Sequence, residues 1–176
     1  AFSLDSRNTW IEEKETLQEL LLVVDPAWGA FAGIAAHAFQ ALGAAEVIEV
    51  NGSPGSDVNL DSGVAELEGT DQIDARLRSS TGRDFENNTA LRELFQLGRK
   101  NRSACASGKR RVAAAVFDAD GDRFYVVLYD PFQDQALILS GDESAYHQAR
   151  YLIRRFPDRY QGSWYLNTVE SDLNVS

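Results

Sequence analysis

The chain of 176 residues carries 17 lysines and arginines against 27 aspartates and glutamates, a formal net charge of -10 at pH 7. So acidic a surface repels phosphate backbones and anionic headgroups, which excludes general binding to nucleic acid or membrane. Hydrophobic residues at 44% are enough for one packed domain, while the single cysteine, Cys105, excludes an intrachain disulfide framework and fits a reducing, cytoplasmic setting.

The first residues lack the basic-then-apolar pattern of a signal peptide, and no apolar run nears the roughly 20 residues of a membrane span. Thr9 with Glu12 forms a capping box, and Trp10, Leu17 and Leu21 fall near one face, which predicts a helix over Thr9–Leu20. Leu20 to Asp25 reads as a buried strand ending in an acid, with Pro26 beyond it. Ala30 to Leu42, small and apolar and closed by Gly43, predicts a helix lying on a sheet. Glu46 to Val50 alternates as a second strand, so this stretch is a βαβ unit with parallel strands.

Residues 51–88 change character, with five glycines and Pro54 among turn formers and scattered charges. They predict a long, mobile excursion with few apolar anchors and a short helix around Ile73–Ser79. Helical period returns over Thr89–Gly98 through Leu91, Leu94 and Phe95, followed by a polar loop from Asn101 to Arg111. Strands are then expected at Val112–Phe117, Phe124–Tyr129 and Ala136–Leu139. Gly141 to Phe156 reads as a helix with acids in its first turn and Arg150, Arg154 and Arg155 towards its end, stopped by Pro157. Trp164–Val169 predicts a last strand, and residues 170–176 a polar linker.

The segment that carries chemistry is Asp118-Ala119-Asp120-Gly121-Asp122-Arg123, directly after a buried strand. Three carboxylates at spacing two, with a glycine to allow a tight turn, gather oxygens suited to one hard cation. Without a cation or an arginine their mutual repulsion is unfavourable. The EF-hand pattern fails, since Arg123 and Tyr129 stand where Gly and a bidentate Glu are needed. A haloacid-dehalogenase-like phosphatase shares the Asp-x-Asp-Gly opening, Phe117 to Gly121. It requires Thr or Val where Asp122 stands and a later basic residue, usually lysine, and no lysine follows Lys109.

The better match is by resemblance. Asp118 to Arg123 resembles the metal-binding loop of the α-D-phosphohexomutases, the phosphoglucomutase/phosphomannomutase family. Leu22 to Ala30 is similar to the opening strand and Gly-containing turn of that family's second domain. Ala41 to Ala44, Asn51 and the Leu-Ser-Gly-Asp-Glu element Leu139–Glu143 follow in the same order. The likeness runs from about Thr9 to Val169 and implies one α/β domain over residues 1–176, a three-layer α/β/α sandwich with a mixed, mostly parallel sheet. A core of four strands, the fourth antiparallel, is implied too. The family's other domains carry its phosphorylatable serine and sugar-selecting loops, and no Thr-Ala-Ser-His-Asn-Pro-like run occurs here. With no methionine in the chain, a fragment of a longer enzyme is expected, inactive alone. The resemblance assigns Mg2+ to Asp118, Asp120 and Asp122, a catalytic guanidinium to Arg123, and a hexose phosphate substrate shared with the missing domains. A non-catalytic binding module that keeps the fold is the other alternative.

Other chemistry-bearing residues read as structural or solvated: His37 and His147, Cys105, the basic Lys109-Arg110-Arg111, and Gly141 to Glu143 as a helix start. Gly52 to Gly55 fits no phosphate-binding glycine pattern.

Overall fold

The computed structural model describes residues 17–55 and 57–162. The helix expected over Thr9–Leu20 lies largely outside them, with Leu17–Glu19 forming a turn; the strand expected at Trp164–Val169 and the linker at 170–176 also fall outside. The apolar run Leu20–Asp25 is β1, followed by α1 (Ile34–Ala41) and β2 (Glu46–Glu49). Strand β2 runs parallel to β1, as a βαβ unit requires. Helix α1 starts four residues later than expected because Trp28 to Gly33 are spent on turns; Gly33, just before the helix, donates to both Glu49 carboxylate oxygens at 3.0 Å.

The remaining elements are α2 (Gly63–Leu67), β3 (Gln72–Ile73), α3 (Thr89–Lys100), α4 (Arg102–Ala106), β4 (Arg111–Phe117), β5 (Phe124–Asp130), β6 (Gln135–Leu139), α5 (Gly141–Arg155) and α6 (Pro157–Tyr160). They form one open six-stranded sheet in the order β2-β1-β4-β5-β6-β3. The pairings of β1 with β2 and β4 are parallel, whereas β4–β5, β5–β6 and β6–β3 are antiparallel. The sheet is therefore mixed and not mostly parallel as expected, since only the β2-β1-β4 side is parallel. Strands β4, β5 and β6 form a meander because short turns join them and only antiparallel neighbours accept such turns, and the earlier β3 adds to the β6 edge.

Period-2 alternation sorts the strand residues onto two faces. Leu21, Val23, Val112, Ala114, Val116, Tyr125 and Val127 join the larger core with Leu91, Leu94 and Phe95 of α3. Leu22, Val24, Ala113 and Ala115 face the other way, under Ala35 and Ala36 of α1. Asn88 caps α3, its Oδ1 accepting from Leu91 N at 2.9 Å. Helix α5 begins with a reciprocal capping box between Ser140 and Glu143 and lies beside β5 and β6, with none of its residues fully buried.

The excursion at 51–88 differs from expectation. Val64, Leu67, Ile73 and Phe85 are buried in the main core, so it is anchored rather than loosely held. The expected helix at Ile73–Ser79 is absent. Asp74 accepts from the amides of Arg76 and Arg78 at 2.8 and 3.0 Å, and Leu77 takes φ 60, which folds the segment back as a turn. The loop expected at Asn101–Arg111 contains α4. No helix among the described residues is long and apolar enough to cross a membrane.

Candidate metal centre

Asp118 is the first residue beyond β4, and the chain must reverse within six residues to begin β5 at Phe124. Gly121 makes this possible at φ 82, a left-handed conformation natural to glycine. A side chain there would also collide with the Phe31 ring. The reversal is fixed from Asp118: its Oδ1 accepts from Gly121 N at 3.0 Å and Arg123 N at 3.1 Å, and its Oδ2 from Arg123 Nε at 2.8 Å.

Asp118 is 4% exposed, while Asp120 and Asp122 reach solvent. The loop brings one carboxylate oxygen of each to within 4.8 Å of the others. Burial pushes the Asp118 carboxyl up, but hydrogen bonds from the Arg123 side chain and backbone outweigh it and hold the group below its ordinary value. The same pair raises the Arg123 pKa further, chiefly through the Asp118 bond.

Asp118, Asp120, Asp122 and Arg123 line a cleft of about 810 Å³ together with Glu68, Ser140, Gly141 and Asp142. All three aspartates and Arg123 singled out in the sequence therefore meet in one place. The fork of Arg123 is not aimed only outward: its Nε is spent on Asp118, and its half-exposed side chain borders the cleft. Gly141 and Asp142 prove to line the cleft as well as start α5. Glu68 was not legible as a cleft residue, since it arrives from the excursion and adds its charge to those around Arg123. The donor set consists of carboxylate oxygens alone, which fits Mg2+ or Ca2+ better than zinc or copper.

One strand away, Asp25 is completely buried at the end of β1. Its Oδ1 accepts from Ala27 N at 2.9 Å and Asn51 Nδ2 at 3.0 Å, and its Oδ2 from Gly63 N at 3.0 Å. Burial raises its pKa, opposed by the bonds from Gly63, Asn51 and Ala27. These bonds tie the turn after β1, the exit of β2 and the start of α2 to one point. Gly63 itself, at φ 74, has room for no side chain, since a Cβ would lie 2.6 Å from that of Ala27 and 2.9 Å from Phe117 O.

The other residues read as structural or solvated lie elsewhere. His37 and His147 are exposed on α1 and α5, and Cys105 is half-buried on α4. The basic run sits at the amino end of β4, opposite the cleft, where Arg110 Nη1 donates to Gln18 O at 2.8 Å. Comparison with protein-family models, with curated proteins and with solved structures finds no match to this chain.

Proposed function

We propose that this chain is the metal-binding domain of a phosphosugar mutase of the α-D-phosphohexomutase type. The observation that carries the reading is the convergence of three aspartates and Arg123 on one tight loop at the end of a buried strand, in an open cleft. The resemblance set out above and the strand pattern β2-β1-β4 parallel with β5 antiparallel support it. The finer architecture, a three-layer α/β/α sandwich, belongs to the same proposal; helices α1 and α3 on opposite faces of β1 and β4 support it.

In this reading Asp118, Asp120 and Asp122 hold Mg2+, which supplies charge neutralisation to a phosphoryl group in transfer. Asp118 fixes the loop by its two backbone bonds and holds Arg123 against it. Arg123 contributes a guanidinium at the rim of the cleft, where phosphate oxygens of a hexose phosphate would approach. The phosphoryl-carrying serine and the sugar-selecting loops come from other domains of the parent chain, and the setting is cytoplasmic. The isolated chain is then a fragment without turnover of its own.

The test is an NMR titration of the chain with Mg2+, followed by addition of a hexose 1,6-bisphosphate and a hexose monophosphate. Amide shifts confined to Asp118–Arg123 and the cleft, with no sustained interconversion of sugar phosphates, are expected. Sustained turnover overturns the fragment reading, and the absence of shifts in the loop overturns the metal-binding reading.

A further inference from the structure

Directly after Asp25-Pro26, two consecutive non-glycine residues, Ala27 at φ 55 and Trp28 at φ 59, occupy the left-handed region. Such conformations persist only where the surroundings over-determine them, and they gather where geometry matters for function. Here the restraints are explicit. Ala27 N donates to Asp25 Oδ1 at 2.9 Å, Trp28 N to Asn51 O at 3.0 Å and Gly29 N to Pro26 O at 2.8 Å.

The strained turn delivers the next three residues to the aspartate loop. Ala30 N donates to Ala119 O at 2.7 Å. Gly29 lies so close that a Cβ would fall 2.6 Å from Ala119 Cα and strike its carbonyl oxygen. The Phe31 ring stacks on Phe117 at 5.4 Å and 12° and fills the space beside Gly121. The loop is therefore gripped at Ala119, between the first two aspartates, and at Gly121, between the last two.

We propose that the turn from Asp25 to Phe31 is a clamp that presets the spacing of the three loop carboxylates for a divalent cation. Asp25, Gly29 and Phe31 act as positioning residues: none needs to touch the ion, and each acts through the backbone of the loop. The inference rests on the metal-binding reading above. An ion that must gather loose carboxylates loses affinity to their ordering and mutual repulsion, and a preset loop avoids that loss.

The experiment compares Mn2+ affinity, by calorimetry and electron paramagnetic resonance, for the parent, Gly29→Ala and Phe31→Leu, with exchange of the Ala30 amide followed without metal. Phe31→Leu keeps apolar bulk and carries the test if Gly29→Ala fails to fold. The clamp predicts binding weaker by about tenfold or more in a variant that still unfolds cooperatively, the scale of lost outer-shell support. It also predicts an Ala30 amide that is slow in the parent and faster in the variant. A folded variant that binds Mn2+ like the parent overturns the proposal. If the parent itself takes up no Mn2+, the metal reading fails separately. The grip on Ala119 then stands if Ala30 exchange is slow in the parent and fast in the variant, and falls if both exchange alike.

Discussion

Asp25 closes β1 and Asp118 follows β4, its parallel neighbour, and the two carboxyls are almost equally withdrawn from solvent, at 0% and 4% exposure. Their chemistry diverges all the same. Asp25 is surrounded by neutral donors, and burial dominates, so its pKa rises. Asp118 suffers burial too, but Arg123 sits on it at 2.8 Å, and its pKa falls. Burial pushes both carboxyls up; at Asp118 the charged Arg123 outweighs it, and at Asp25 the neutral donors do not. Position at a strand end therefore says little about role. Asp25 fastens three separate segments, and Asp118 shapes the aspartate loop.

The largest expected effect separates these roles by stability. Asp25→Ala strands three donors, two of them buried main-chain amides, and should lower unfolding free energy by about 3–5 kcal/mol. Asp118→Ala should lower it by only about 1–2 kcal/mol, because its donors are part-buried and the Arg123 side chain, half exposed, finds water. Urea unfolding of both variants measures the gap. Equal losses would erase the distinction between fastener and site residue.

A smaller effect sharpens the same contrast through pH. A carboxyl whose folded pKa is raised burdens the fold above that pKa, and the burden lifts as pH falls through it towards the ordinary value of 3.8. A carboxyl whose folded pKa is lowered adds stability above the ordinary value, and this is lost as pH falls through the depressed pKa. Carboxyl carbon NMR should thus find Asp25 protonating above 3.8 and Asp118 below it. Replacing Asp118 with Asn should make stability less sensitive to acid, and replacing Asp25 with Asn more so. The opposite order of midpoints would mean that Arg123 does not hold Asp118 in solution.

The site was more legible in the sequence than its supports, for a physical reason. Asp118, Asp120, Asp122 and Arg123 are contiguous, so their chemistry shows in six letters, and the strand before them is a plain apolar run. The fastening by Asp25 draws on donors at positions 27, 51 and 63, and nothing local in the sequence announces that they meet. The excursion hid its anchors in the same way. Val64, Leu67, Ile73 and Phe85 are buried without a shared period, and α2 and β3 are too short to display one. At Ile73–Ser79 the spacing suggested a helix, but the Asp74 side chain captured the amides that a helix would have used. The bond from Arg123 to Asp118, which holds the loop closed, also joins residues five apart and is not spelled out by the sequence.

The most direct test of the central claim is a calorimetric Mg2+ titration of the parent, Asp120→Asn and Asp57→Asn. Asp120 is exposed in the loop and serves none of the hydrogen bonds that shape it, so its loss should leave the fold intact. Asp57 lies on the excursion, away from the cleft lining, and is the control. With three carboxylates and water completing six ligands, the parent should bind Mg2+ weakly but saturably. Asp120→Asn should then weaken binding by about tenfold or more, with Asp57→Asn indistinguishable from the parent. An Asp120→Asn chain that binds Mg2+ as well as the parent would contradict the assignment of the three-aspartate loop as the metal centre.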